Sequence, residues 1–345
     1  MVAADVIVIG GGPAGVAAAI TCVQGGLSVM LLTDQPEIDL ADAEMQPPEP
    51  LQSLHPGVQT LLKQLQIDGA TAFASKGIYT GIKTGANVSP LSTVEGETWE
   101  GHHIAPGLFS AYSLLKAKEL GVEVRFVSRA NEIVCSEDAV TGVVLADGTA
   151  LNCAYLIDAS GRSRFAGRYL KFDEELLSRP LLSWTGIDKD NPCGNPDREL
   201  AYFEPNPHGW TWTAYSNKGY YTWTKLADKS NSDAFLKELS ASSQAATIKA
   251  ANMQWRVFRP LACPGLLLAG DAAGILDPAA GQGILSGLMS GIMAGETVLS
   301  CITNAQLSNW YLSRYDNWFM DHFNHKKDAL TKRYREMGID VSVQK

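Results

Sequence analysis

The chain has 345 residues, is 46% hydrophobic and 19% charged, and carries a formal net charge of −9. That length buries a large core, so two lobes are expected rather than two independent domains. The acidic balance argues against nonspecific binding to nucleic acid or an anionic membrane, and with no run of about 18 apolar residues without charge neither a transmembrane span nor stable membrane insertion is expected.

The first element is an apolar run, residues 6–9, that ends at Gly10 and fits a central parallel strand buried on both faces. An alanine-rich stretch, residues 14–23, follows as a helix closed by Gly25 and Gly26. Between them Gly10, Gly12 and Gly15, with Pro13 and Ala14 in the gaps, spell G-x-G-x-x-G. Gly10 permits the tight turn, Gly12 lets backbone approach a pyrophosphate, and Gly15 allows close helix–strand packing. The helix N-terminus adds unpaired N–H groups and positive potential for phosphates. A second strand, residues 27–32, comes at the expected distance, and Thr33 and Asp34 stand where an acidic ribose ligand is normal.

Residues 35–58 are acidic and proline-rich and read as a loop crossing between layers, within an insertion spanning 35–100. A helix is predicted over 108–120 and strands over 122–127 and 140–146, the last ending at an Asp-Gly turn. Leu156-Ile-Asp-Ala-Ser-Gly-Arg162 would return a strand to the dinucleotide at Asp158 and Gly161, and Ala130 is a further cofactor candidate. Over 178–258 aromatics dominate, and 210–213 and 220–225 form a hairpin signal around Ser-Asn-Lys-Gly. An antiparallel substrate sheet over the cofactor is the expected architecture there.

Residues 266–271 make another buried strand ending in Gly270-Asp271, whose carboxylate would face the crevice and accept from ribityl hydroxyls. Asp277-Pro278 then turns the chain, and Gly281-Gln282-Gly283 opens a helix whose N–H groups can stabilise a reduced flavin ring. The two glycine-rich ends together predict FAD. A terminal helix from residue 310 carries a basic run, Lys326-Lys327, Lys332-Arg333 and Arg335, read as a solvated face. The cysteines Cys22, Cys135, Cys153, Cys193, Cys263 and Cys301 show no zinc spacing, so no metal is expected and they read as buried hydrophobes of a reducing compartment. No basic flank marks a signal peptide, and a cytoplasmic location is expected.

The expected fold class is α/β. A Rossmann-like FAD lobe of three-layer ββα architecture spans 1–177 and is completed by 259–300. An antiparallel substrate lobe spans 178–258, and C-terminal helices span 301–345.

These motifs resemble the FAD superfamily of aromatic-ring monooxygenases, tryptophan halogenases and geranylgeranyl reductases. Gln52-Ser-Leu-His-Pro-Gly-Val is similar to that family's Glu-Ser-Leu-Pro-Pro segment, and the helix start at 103–112 has Pro106 and Ser110 where an Arg and an Asp are usual. The resemblance implies a monooxygenase that hydroxylates an electron-rich aromatic substrate through a C4a-hydroperoxyflavin, with a tryptophan of a partner protein as one candidate. Electrons would come from NAD(P)H or a separate flavin reductase. His103, His102 and Tyr215 are the candidates for acid–base or orienting roles. Halogenation is a competing expectation. A halogenase-like lysine, Lys76, lies one position off, with Ser75 in the matching place, and Trp210-Thr-Trp212 is followed by Ala214-Tyr215 instead of Ile-Pro. The same FAD motifs would also serve a geranylgeranyl reductase-like reductase or dehydrogenase, or a nonenzymatic flavin-binding protein.

Overall fold

The computed structural model describes residues 4–91, 99–189, 197–231 and 248–343. Cys193 and parts of the expected substrate lobe lie outside them.

The central sheet forms where the apolar runs of the sequence lie side by side. Ala4–Ile9 pairs in parallel with Val29–Leu32 on one side and with Ala150–Asp158 on the other. Leu266–Leu268 extends the sheet next to Asp158, and Glu123–Arg125 lies outside Leu32. The middle strands are fully buried because layers cover both faces. One layer is the antiparallel meander Ala130–Ser136, Ala139–Leu145 and the first half of Ala150–Asp158. The other is helical and includes α1 (Pro13–Gln24), α2 (Pro106–Glu119) and α3 (Gly283–Thr303). The three-layer Rossmann-like lobe is therefore present.

α1 and α3 pack unusually closely because both faces are made of small residues. A Cβ on Gly291 would stand 2.1 Å from the Ala14 carbonyl oxygen, and one on Gly295 would stand 2.8 Å from Thr21 Cβ. By length and apolarity alone α3 could cross a membrane, a property the sequence was not expected to show, and its apolar side packs on α1. Cys22, Cys153 and Cys301 are buried as expected, whereas Cys135 is exposed.

The second lobe is a seven-stranded sheet in the order Lys249–Asn252, Leu181–Asp188, Tyr220–Asp228, Gly209–Ser216, Leu200–Asn206, Gly81–Thr84, Asn87–Pro90. The expected hairpin is there, turning at Ser216–Tyr220. The stretch read as a crossing loop is more ordered than proline content suggested. It supplies two strands of this sheet and two, Gln52–Leu54 and Ser75–Tyr79, that flank Gly101–Ile104 in a small sheet. Proline excludes helix interiors but is tolerated at strand ends and first helical turns, and Pro56 and Pro90 occupy such places. The terminal helix α4 (Ser308–Glu336) runs along α3 and reaches the second lobe.

Candidate active site

Register brings the three sequence motifs to one edge. Ile9 is level with Leu32 and with Asp158, and Asp158 is level with Leu268, so Gly10, Thr33, Ala159 and Ala269 follow side by side. Backbone bonds lock that order: Gly10 N–H donates to Leu32 O (2.8 Å), Ala159 N–H to Ile9 O (2.8 Å) and Ala269 N–H to Asp158 O (2.9 Å). The carboxyl ends of parallel strands are where an open α/β sheet binds its ligand.

The glycines divide the work at this edge. Gly10 has φ +108° and a Cβ there would lie 2.2 Å from Ala159 O, so both conformation and space demand glycine. A Cβ on Gly15 would strike Gly10 O at 1.8 Å. Gly12 differs: apart from its chain neighbours, no protein atom lies within 4 Å of where its Cβ would stand. That space lies at the mouth of α1, with Pro13 at the first helical position, and it accommodates a phosphate against free N–H groups. Ala14 is buried beneath it and packs on α3.

The carboxylates at this edge have unequal surroundings. Asp158 is fully buried, its Oδ1 accepting from Ser160 N–H (2.9 Å) and its Oδ2 from Ala166 N–H (2.7 Å). It therefore braces the loop that carries Gly161 and does not face the crevice, a correction to the expected ligand role. Thr33 is likewise a support. It is buried, its Oγ1 accepts from Gln35 N–H, and it fills the space beside Gly11, which leaves Asp34 exposed at the strand end. Asp271 is solvent-accessible within the crevice while protein surrounds it on its other sides. That enclosure raises its pKa, and nearby Arg162 and Arg256 oppose the rise. Arg256 is buried and ion-paired with Glu174, which also binds Arg164. Arg162, the last residue of the Asp-Ala-Ser-Gly-Arg motif, is exposed beside Gly161. Ala130, at the start of its strand, borders a cavity of about 350 Å³ shared with Phe165 and Arg168.

The loop after Asp271 is held by a buried network invisible in the sequence. Asp277 accepts from the Trp255 indole N–H (2.6 Å), the Tyr334 hydroxyl (2.9 Å) and Ala279 N–H (2.9 Å). The Trp210 indole N–H donates to Tyr334 Oη at 2.8 Å. Burial pushes Asp277 up to about 6, against these donors and Arg333. One carboxylate thus joins α4, the large sheet through Tyr334 and Trp210, and the Pro278, Gly281, Gln282 and Gly283 turn. Gly281 and Gly283 have open space at their Cβ positions, as does Gly161. Open glycine cradles, a helix N-terminus and an enclosed but accessible carboxylate fit a dinucleotide and its ribityl chain. Gly270, by contrast, is a packing residue, its Cβ position 2.9 Å from Ala14 Cβ.

The three expected reactive side chains do not gather at this sheet edge. His103 is wholly buried, stacked on Tyr79 (4.5 Å between centroids), edge-on to Trp212, and paired through Nδ1 with Ser53 Oγ at 3.0 Å. Burial, aided by His102, drives its pKa to about 3, so it stays neutral and is no acid–base group near pH 7. His102 points the other way along the strand, half-buried and bonded to Ser75 Oγ (3.0 Å), and burial lowers it too. Tyr215 is on the far face of the large sheet. Along Gly209–Ser216, Trp210 and Trp212 pack with Tyr334 and Trp255, whereas Tyr215 alternates to the face of Trp184 and Trp223 and meets Tyr221 and Arg198.

His55 is better placed. It precedes the turn Pro56–Val58, which packs on α3, and nearby Leu51 N–H donates to Thr222 Oγ1 of the large sheet (3.0 Å). His55 Nδ1 accepts from Gly57 N–H (3.0 Å), so with its pKa lowered by burial the ring is neutral and carries its proton on Nε2. Its signal was an unusual histidine inside the Ser-Leu-His-Pro segment.

Fold and crevice together fit the requirements of an FAD-dependent oxidoreductase. Residues 5–167 match the FAD dependent oxidoreductase family. In sequence the chain is 28% identical over 343 residues to digeranylgeranylglycerophospholipid reductase 2 of Methanothermobacter thermautotrophicus, covering 90% of this chain and 82% of that protein. In structure it superposes on the myxobacterial chondrochloren halogenase CndH with a TM-score of 0.83, at 16% identity over 100% of this chain and 84% of the other. The peptidyl tryptophan dihydroxylase QhpG aligns with a TM-score of 0.71, 20% identity and coverage of 94% and 74%. FAD is the cofactor of this chain, and the chain is an oxidoreductase.

Proposed function

We propose that the chain is a monooxygenase that hydroxylates an electron-rich aromatic substrate, such as a tryptophan side chain. The observation that carries this reading is the alternation of the large sheet. Trp212 turns toward His103 of the small sheet, and Thr222 on the same face is tied to the segment bearing His55. Such an aromatic wall can stack a flat ring, while the buried Thr222 hydroxyl fixes the segment bearing His55 against it. Bound FAD supplies the oxygen chemistry when reduced. The chain's own residues bind and orient the ring, keep water out through the packed sheet, and present a donor at His55 Nε2. Likeness of fold to a halogenase and a tryptophan dihydroxylase supports the reading. Electrons would come from NAD(P)H or a separate reductase.

One observation favours a second reading, a reductase acting on isoprenoid double bonds: the sequence similarity to a digeranylgeranylglycerophospholipid reductase. The two are separated by following oxygen uptake and product mass with FAD-loaded enzyme and reductant. Candidate substrates are indoles, tryptophan peptides and a geranylgeranylated lipid. The monooxygenase reading expects oxygen consumption matched by one oxygen atom in an aromatic product. Anaerobic saturation of the isoprenoid with no reaction at any aromatic ring would overturn it, and a halide-dependent halogenated product would replace it with halogenation.

A further inference from the structure

The basic run of α4 is not simply a solvated face. His322, Lys326 and Arg333 recur at helical spacing on one side of α4, where they and His325 line a cavity of about 520 Å³ between α4 and the start of α3. Leu285 and Met289 of α3, with Leu330 of α4, form apolar walls. Ala279 and Gln282 of the flavin loop close one end. Asp321 is the one acid among the lining residues. In a chain of net charge −9, this is a local reversal of sign.

The cations are held in place by neutral acceptors. Lys326 Nζ donates to Ser286 Oγ at 2.5 Å, and Arg333 Nη1 donates to Ala279 O at 2.9 Å while its guanidinium lies 4.4 Å over the Phe203 ring. Burial lowers the Lys326 pKa, a cost that an anion in the cavity would relieve. Gln282 caps the 21-residue helix α3, whose first turn adds positive potential at the same end. The size suits a whole small molecule and not a lone ion.

We propose that this cavity binds a phosphate-bearing ligand with an apolar portion, its phosphate held by Lys326, Arg333 and the two histidines beside the flavin loop. The site adjoins the flavin loop at Ala279 and Gln282, but its cations stand on α4, outside the glycine cradles and carboxylate of the FAD crevice, and it stands whether the enzyme proves to be an oxygenase or a reductase. A phosphate with an apolar portion is found in a soluble nucleotide and in a phosphorylated lipid, and the cavity chemistry is common to both.

Inorganic pyrophosphate is the probe, titrated calorimetrically into FAD-loaded protein at low salt so that the crevice is already filled. One site per chain is expected, weakened about tenfold by Lys326→Ala and restored by Lys326→Arg. His325→Ala, at an exposed position, is a second variant that spares the fold and should weaken binding less. Competition by NADPH assigns a nucleotide, and competition by dodecyl phosphate assigns a lipid. No binding of pyrophosphate, or binding indifferent to Lys326→Ala, overturns the site, and competition by neither ligand overturns its apolar part. Oxygen uptake is not part of the readout, so failure here leaves the proposed reaction untouched.

Discussion

His103 and Asp277 show how burial sorts polar residues into different tasks. A histidine forced neutral in a fully packed place contributes shape and one hydrogen bond. His103→Ala is therefore expected to cost stability of about 2–4 kcal/mol, from the cavity and the stranded Ser53 hydroxyl. The pH profile of turnover by the folded fraction should not move, and a shifted profile would restore His103 as an acid–base group. Asp277 titrates in a reachable range. Its folded pKa of about 6 lies above the ordinary 3.8, so the folded state takes up its proton more readily than the unfolded one. Its contribution to stability is whole below about 3.8 and is lost as pH rises through about 6. The loss is on the order of 2–3 kcal/mol. Melting curves of wild type and Asp277→Asn at about pH 4.5 and about pH 7.5, on either side of that titration, check this. The wild type should lose more stability on going up in pH, and parallel losses would contradict the assigned burial.

At the scale of elements, the α1–α3 seam links the two glycine motifs. Gly291 packs against Ala14, the residue just behind the phosphate cradle, and a methyl group there meets backbone that cannot swing aside. Gly291→Ala is expected to lower the melting temperature by several degrees and to loosen FAD retention. Unaltered melting would show that the seam has slack. The alternating and apolar runs made most of these elements legible: the strand before Gly10, α1, the aromatic hairpin and the start of α3 all carry clear periodicity or punctuation. Residues 35–100 were less legible because their strands are short and edge-like, and prolines dominate the local signal. The site was legible where glycines must touch backbone or ligand. It was illegible where burial decides: nothing local distinguishes Asp158, which braces a loop, from Asp271, which faces the crevice. Nor does the sequence show that Tyr334 reaches Asp277, since that contact spans 57 positions.

For the whole molecule, the central claim is that register at one sheet edge assembles an FAD crevice from distant segments, Gly10–Gly15 and Asp271–Gly283, with the phosphate cradle at Gly12. The most direct test is the FAD released per chain from purified protein, wild type against Gly12→Val. The Cβ of a valine at Gly12 meets no protein atom within 4 Å apart from its chain neighbours, so the variant is expected to fill ligand space and keep the fold. Wild type is expected to release one FAD per chain. Gly12→Val is expected to melt at a temperature close to that of the FAD-free wild type and to retain at most about a tenth of its flavin. Full flavin retention by a folded Gly12→Val protein would contradict the account.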